Sequence, residues 1–190
     1  MFPINHVPRL GTVDSRGYYR RVADELTKLA AEGSLSFAVR NFIQPAGQYL
    51  NSQSLAERLL WAWRNLPTNY QPDHFGDSWQ TAARTLEHRA GDCEDWAVLL
   101  AAILKALGID ARIVVVPGHA AVAVSVSTAS PWPFAVRHPI PDDWPLVSHA
   151  GRTWLVLEAT TDPTRRGLPG TNTDLIIPWL NTDQLWIGSA

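Results

Sequence analysis

The chain has 190 residues, 46% of them hydrophobic and 18% charged, with a formal net charge of −2. That balance lacks the basic face expected of a nucleic-acid binder and gives no reason to expect binding to an anionic membrane. A single cysteine excludes an internal disulfide and a thiolate-rich zinc site. The length suits one domain with a sizeable core. The opening residues lack the apolar segment of a secretory signal, and no stretch reaches the ~18 uninterrupted apolar residues of a membrane span, so a soluble protein is expected.

In chain order, Tyr19, Val22, Leu26 and Leu29 recur at helical spacing and predict a helix over Tyr18 to Ala31, with Gly33 as its stop. Ser34 or Ser36 is suited to cap a second helix through Ile43, which Pro45 should break. Ser52 or Ser54 is suited to cap a third, Leu55 to Leu66, closed by Pro67. The stretch TNYQPDHFGDSW reads as loop and is followed by a short helix from Gln80 to Glu87.

Asp92 is placed to cap the next helix. Its apolar positions Trp96, Leu99, Leu100, Ile103, Leu104 and Leu107 run to a stop at Gly108 and require a large surface to pack on. ARIVVV and AAVAVSV read as strands joined by a turn at PGH, and RTWLVLEAT as a third. Ser127 to Ala150 reads as a long irregular connection. The tail after Pro163 is turn-rich and is expected to wrap back onto the core. Helices followed by strands predict an α+β domain with an antiparallel sheet.

Three residues in this order suggest chemistry. A lone cysteine is most often a small buried hydrophobe. Cys93 instead begins a helix, where unpaired N–H groups and the dipole favour thiolate. His119 stands at the mouth of a strand, with Ala121, Ala123 and Ser125 on its face, a small-residue surface that a helix could approach closely. Glu158 lies in an otherwise apolar strand and is costly to bury without a partner, which a neighbouring histidine would supply. Asp162, past the strand end, is the competing acid. Asp92, Glu94, Asp95, Asp73 and Asp77 offer hard oxygen ligands for calcium, yet no Asp-x-Asp-x-Asp-Gly loop is present, so caps and solvated surface are the expected roles and no cofactor is expected.

The stretches GDCEDWAVLLAAILKALGIDARIVVV, GHAAVAV and TWLVLEAT, with the run-in RLLWAWRNLPTNYQPD and TAARTLEHRAGDCED, resemble the transglutaminase-like superfamily of cysteine enzymes over roughly residues 53–165. Nearer likenesses are the small transglutaminase-like proteins of bacteriophage tail gene clusters and the bacterial transglutaminase-like cysteine proteinases, some of which bind calcium near the same GDCED start. The resemblance implies a papain-like core in which a central helix begins with the cysteine and packs on an antiparallel sheet. It implies one domain over 1–190: a helical extension to 52, a catalytic core over 53–165 and a C-terminal wrap from 166.

By the same resemblance Cys93 is the nucleophile, His119 the general base and acid, and Glu158 the residue that orients His119. The family more often has aspartate there, which leaves Asp162 as the alternative. Trp79, Gln80 and Tyr70 are the candidate oxyanion or substrate contacts. The implied reaction is acyl transfer on a protein or peptide, with hydrolysis favoured over cross-linking, in a cytoplasmic or virion-associated protein. A non-catalytic assembly module on the same fold is the competing expectation.

Overall fold

The computed structural model describes residues 15–67, 69–72, 79–126, 146–160 and 184–189. Among the described residues six α-helices, α1 (Ser15–Ser34), α2 (Phe37–Ile43), α3 (Gly47–Asn51), α4 (Leu55–Asn65), α5 (Ala82–His88) and α6 (Cys93–Ala106), precede the sheet. Its strands are β1 (Ala111–Val116), β2 (His119–Val126), β3 (Leu146–His149), β4 (Arg152–Leu157) and β5 (Trp186–Ile187), ordered β3-β4-β2-β1-β5 and paired antiparallel throughout. Among the described residues no helix is long and apolar enough to cross a membrane.

Local chemistry sets most boundaries. Ser36 caps α2 by accepting the Val39 N–H. Ser54 and Glu57 form a reciprocal capping box at α4. Thr81 caps α5, so that helix starts two residues later than its apolar pattern suggests. Gly108, at φ 81°, closes α6 as expected. Pro45 ends α2 at Ile43 as expected, and it sits in a 3-10 turn, Gln44–Ala46, that leads into α3. One expectation fails. Gly33 does not stop α1 but lies within it, because a Cβ there would stand 2.9 Å from the Ala82 Cβ and 3.2 Å from that of Ala102. Its missing side chain lets α1, α5 and α6 approach one another.

The central element is α6, buried on every side from Cys93 to Leu104. Helices α1, α2, α4 and α5 surround it, and the sheet covers the remaining side. Helices before residue 53 therefore supply the same core as the rest, with Val22, Ala23, Leu26, Ala30, Val39 and Leu50 all buried in it. Thr27 on α1 accepts the Ile113 N–H at 2.9 Å, and Tyr19 stacks on Trp186 of β5 at 4.8 Å. The end of the chain is thereby held against the first helix.

Two tight hairpins organise the sheet. Val116 pairs with His119 across Pro117 and Gly118, so His119 is the first residue of β2 rather than part of the turn. His149 pairs with Arg152 across Ala150 and Gly151, both at positive φ, a turn whose twist matches the strands. Leu146 to His149 is thus strand, whereas the irregular reading of 127–150 otherwise falls outside the described residues. The helix approaches the face carrying Ala120, Val122 and Val124, not the Ala121 and Ala123 face expected from residue size. Ala121, Ala123, Trp154 and Val156 form a second buried cluster on the opposite side. Both faces are apolar, so alternation separates them without telling which one the helix takes.

Two glycine substitutions distinguish packing from propensity. Gly33→Val should cost about 1–3 kcal/mol by overpacking the helix junction, whereas Gly47→Ala, with nothing within 4 Å of its new methyl, should be neutral or stabilising by up to ~1 kcal/mol. Urea unfolding midpoints of the two variants check the contrast.

Candidate active site

The loop entering α6 is held by its own backbone. Gly91 O accepts the Trp96 indole N–H and the Gln71 N–H, each at 2.9 Å, and Tyr70 pairs with Gly91 in an isolated bridge. A Cβ at Gly91 would lie 2.6 Å from the Asp95 Cβ, so only glycine lets the chain turn this tightly into the helix. Asp92 occupies the cap position, but its side chain makes no capping hydrogen bond.

Cys93 is 8% exposed at the edge of the core. Its thiol donates to Glu94 Oε2 at 3.1 Å, so Glu94 is a buried partner of the sulfur and not the solvated surface residue expected. The Ala120 N–H donates to the sulfur from the head of β2. Burial pushes the Cys93 thiol well above its ordinary range, and the adjacent Glu94 and Asp92 carboxylates push it the same way. Only the Ala120 N–H opposes them. The thiolate expected from the helix dipole is thus outweighed, because desolvation and two nearby anions act at shorter range. Burial raises Glu94 as well.

His119 and Glu158 come together from β2 and the end of β4. His119 Nε2 lies 2.5 Å from Glu158 Oε2, with the two residues 8% and 3% exposed. The other carboxylate oxygen accepts the Thr160 N–H at 2.9 Å and the Thr160 hydroxyl at 2.6 Å. Thr160 therefore holds the longer glutamate side chain in reach of the imidazole. Asp162 lies outside the described residues.

The remaining candidates differ in what they have to offer. Gln80 donates its backbone N–H to Asp95 Oδ1 at 2.7 Å, and its side-chain nitrogen donates to Asp95 Oδ2 at 2.6 Å and to Ala90 O at 3.2 Å. All its donors are engaged. Trp79 packs against the core, yet its buried indole N–H has no partner among the described residues. Tyr70 is half exposed, and its phenol is raised first by burial and then by Cys93, Asp92, Glu94 and Glu158, the charges it borders. Burial pushes Asp95 up to about 6 against the opposing Gln80 bonds.

Among the described residues no three carboxylates, imidazoles or thiols converge where a metal ion could sit, and Asp73 and Asp77 fall outside those residues. Sequence reasoning missed Glu94 as thiol partner, Asp95 as the anchor of Gln80 and Thr160 as the holder of Glu158. The one available signal was an acidic run inside the start of an apolar helix, where each charge needs a partner.

Residues 43–159, well over half of the chain, match the family profile described as the transglutaminase-like superfamily. No significant match was found among curated proteins or solved structures.

Replacing Glu94 with glutamine removes one of the anions that oppose ionisation of Cys93 while keeping an acceptor for the thiol. The pH profile of iodoacetamide alkylation, read by intact mass, should move to lower pH in Glu94→Gln. An unchanged profile would mean that Glu94 does not govern the thiol.

Proposed function

Because the chain belongs to the transglutaminase-like superfamily, whose members are usually cysteine enzymes, we propose that it hydrolyses a peptide or amide bond by acyl transfer through Cys93. The observation that carries this reading is the buried His119–Glu158 pair, joined at 2.5 Å beside the residue whose N–H reaches the Cys93 sulfur. A buried imidazole–carboxylate pair whose histidine is next to the residue that reaches the Cys93 sulfur suits proton transfer to and from that sulfur.

Nε2 of His119 is committed to Glu158, so Nδ1 is the nitrogen that takes the thiol proton. Since the thiol is held protonated at rest, the proton leaves as the sulfur–carbon bond forms, rather than from a preformed thiolate. Electrons of the carbonyl double bond move to its oxygen. The Cys93 backbone N–H and the Trp79 indole N–H, which has no partner among the described residues, are the donors that would hold this oxyanion. As the carbonyl re-forms, the carbon–nitrogen bond breaks, and the imidazolium returns its proton to the departing amine. A water then attacks the thioester, giving its proton to His119, which passes it back to the sulfur as the acid is released. Glu158, steadied by Thr160, orients the ring and offsets its positive charge in each half of the cycle.

Incubation with p-nitrophenyl acetate tests this reading. One acetyl group should appear on Cys93 by intact mass with release of p-nitrophenolate, and none in Cys93→Ala. His119→Ala should slow acetylation by about 10²-fold or more, and Glu158→Gln by about 10²–10⁴-fold. A folded wild-type protein that takes no acetyl group would sink the catalytic reading. Loss of the acetyl group to an added amine faster than to water would move it to cross-linking.

A further inference from the structure

Asp95 is an acid with no part in the mechanism above, yet it is 1% exposed. Both its oxygens are used on a single partner. Oδ1 accepts the N–H of the peptide unit joining Trp79 to Gln80, and Oδ2 accepts the Gln80 side-chain nitrogen. The same nitrogen donates to Ala90 O, so the Gln80 side chain bridges the helix and the loop that enters it. Gly91 is excluded from carrying a side chain by Asp95 itself. Trp79 is the residue just before Gln80, with its indole N–H buried and unpartnered among the described residues.

We propose that Asp95 is a positioning residue for acyl transfer, fixing the Trp79 indole N–H relative to Cys93 by clamping the Trp79–Gln80 peptide unit to the first turn of α6. The inference rests on the acyl-transfer reading above. An oxyanion donor must be held where charge develops, and a displacement of about 1 Å removes much of its effect. Cys93 and Asp95 are two residues apart on one rigid helical turn. A clamp built from Asp95 therefore references the donor to the nucleophile directly, not through the rest of the fold. The neutral amide of Gln80 lets Asp95 accept both bonds. A carboxylate at position 80 would face a second one.

Two reagents that attack through the same sulfur make the test. Iodoacetamide alkylation proceeds by displacement at carbon and develops no oxyanion, whereas acetylation by p-nitrophenyl acetate does. In Asp95→Asn the new amide sets donor against donor at Gln80. Acetylation should fall by about 10–100-fold while alkylation changes by less than about 3-fold. Gln80→Met, which keeps the backbone half of the clamp, should show a smaller loss of the same kind. Trp79→Phe should lose acetylation alone, and adding Asp95→Asn to it should bring little further loss. Gln80→Glu combined with Asp95→Asn reverses donor and acceptor across the side-chain bond and should recover part of the rate.

Acetylation and alkylation falling together in Asp95→Asn and in Gln80→Met would reduce the clamp to a structural contact and overturn the proposal. Full additivity with Trp79→Phe would do the same. If wild type is acetylated and the Asp95 and Gln80 variants match it, only the role of Asp95 falls. If wild type takes no acetyl group, the acyl-transfer reading falls and this inference with it.

Discussion

Four ionisable side chains in succession, Asp92, Cys93, Glu94 and Asp95, begin a helix that is buried from its first residue. Withdrawing carboxylates from water costs several kcal/mol each unless hydrogen bonds replace the lost hydration. The local architecture follows from meeting that requirement. Asp95 draws Gln80 onto the helix, and Glu94 accepts the Cys93 thiol. Each substitute for water brings with it the segment that carries it. The segment containing Trp79 and the loop through Gly91 are therefore held against the first turn of α6 by the same bonds that make its burial tolerable.

The sheet completes the site by a different route. Hairpin closure at Pro117–Gly118 puts His119 at the head of β2, and antiparallel pairing of β2 with β4 brings the end of β4 alongside. Beyond Leu157 the chain turns through Glu158 and Thr160, where the carboxylate finds the imidazole on one side and the threonine on the other. The helix start and the strand ends meet at Ala120, whose N–H points at the sulfur. Helix and sheet are joined at this point by apolar burial, so the relative position of Cys93 and His119 depends on core packing around α6. Gly33 matters to the chemistry in this indirect sense, because it sets how closely α1 supports the far side of that helix.

The resting electrostatics differ from those of a thiol poised as thiolate. Desolvation and the neighbouring carboxylates favour the neutral sulfur, and one backbone N–H is too little to reverse them. In the acyl-transfer reading proposed above, a protonated resting thiol would shift the burden of activation onto His119. It also protects the only cysteine of the chain from adventitious oxidation and alkylation, both of which proceed through thiolate.

Periodicity, caps and stops could be read from the sequence wherever they depend on near neighbours. The helical repeat of α6, the Ser54 cap, the Gly108 stop and the alternation in β2 involve residues within a turn or two of one another. The resemblance carried by GDCED, GHAAVAV and TWLVLEAT likewise identified the family and the candidate residues without coordinates. Which apolar face of the sheet receives the helix did not follow, because both faces are equally hydrophobic and only packing chooses between them. The same holds for the partners of the buried acids. Gln80 lies 15 residues from Asp95, and His119 lies 39 from Glu158. Sequence alone determined that Cys93 begins a helix and that each buried acid would need a partner. Tertiary structure decided which partner, and so whether the thiol rests ionised, because desolvation and short-range charge depend on what folding brings within a few ångströms.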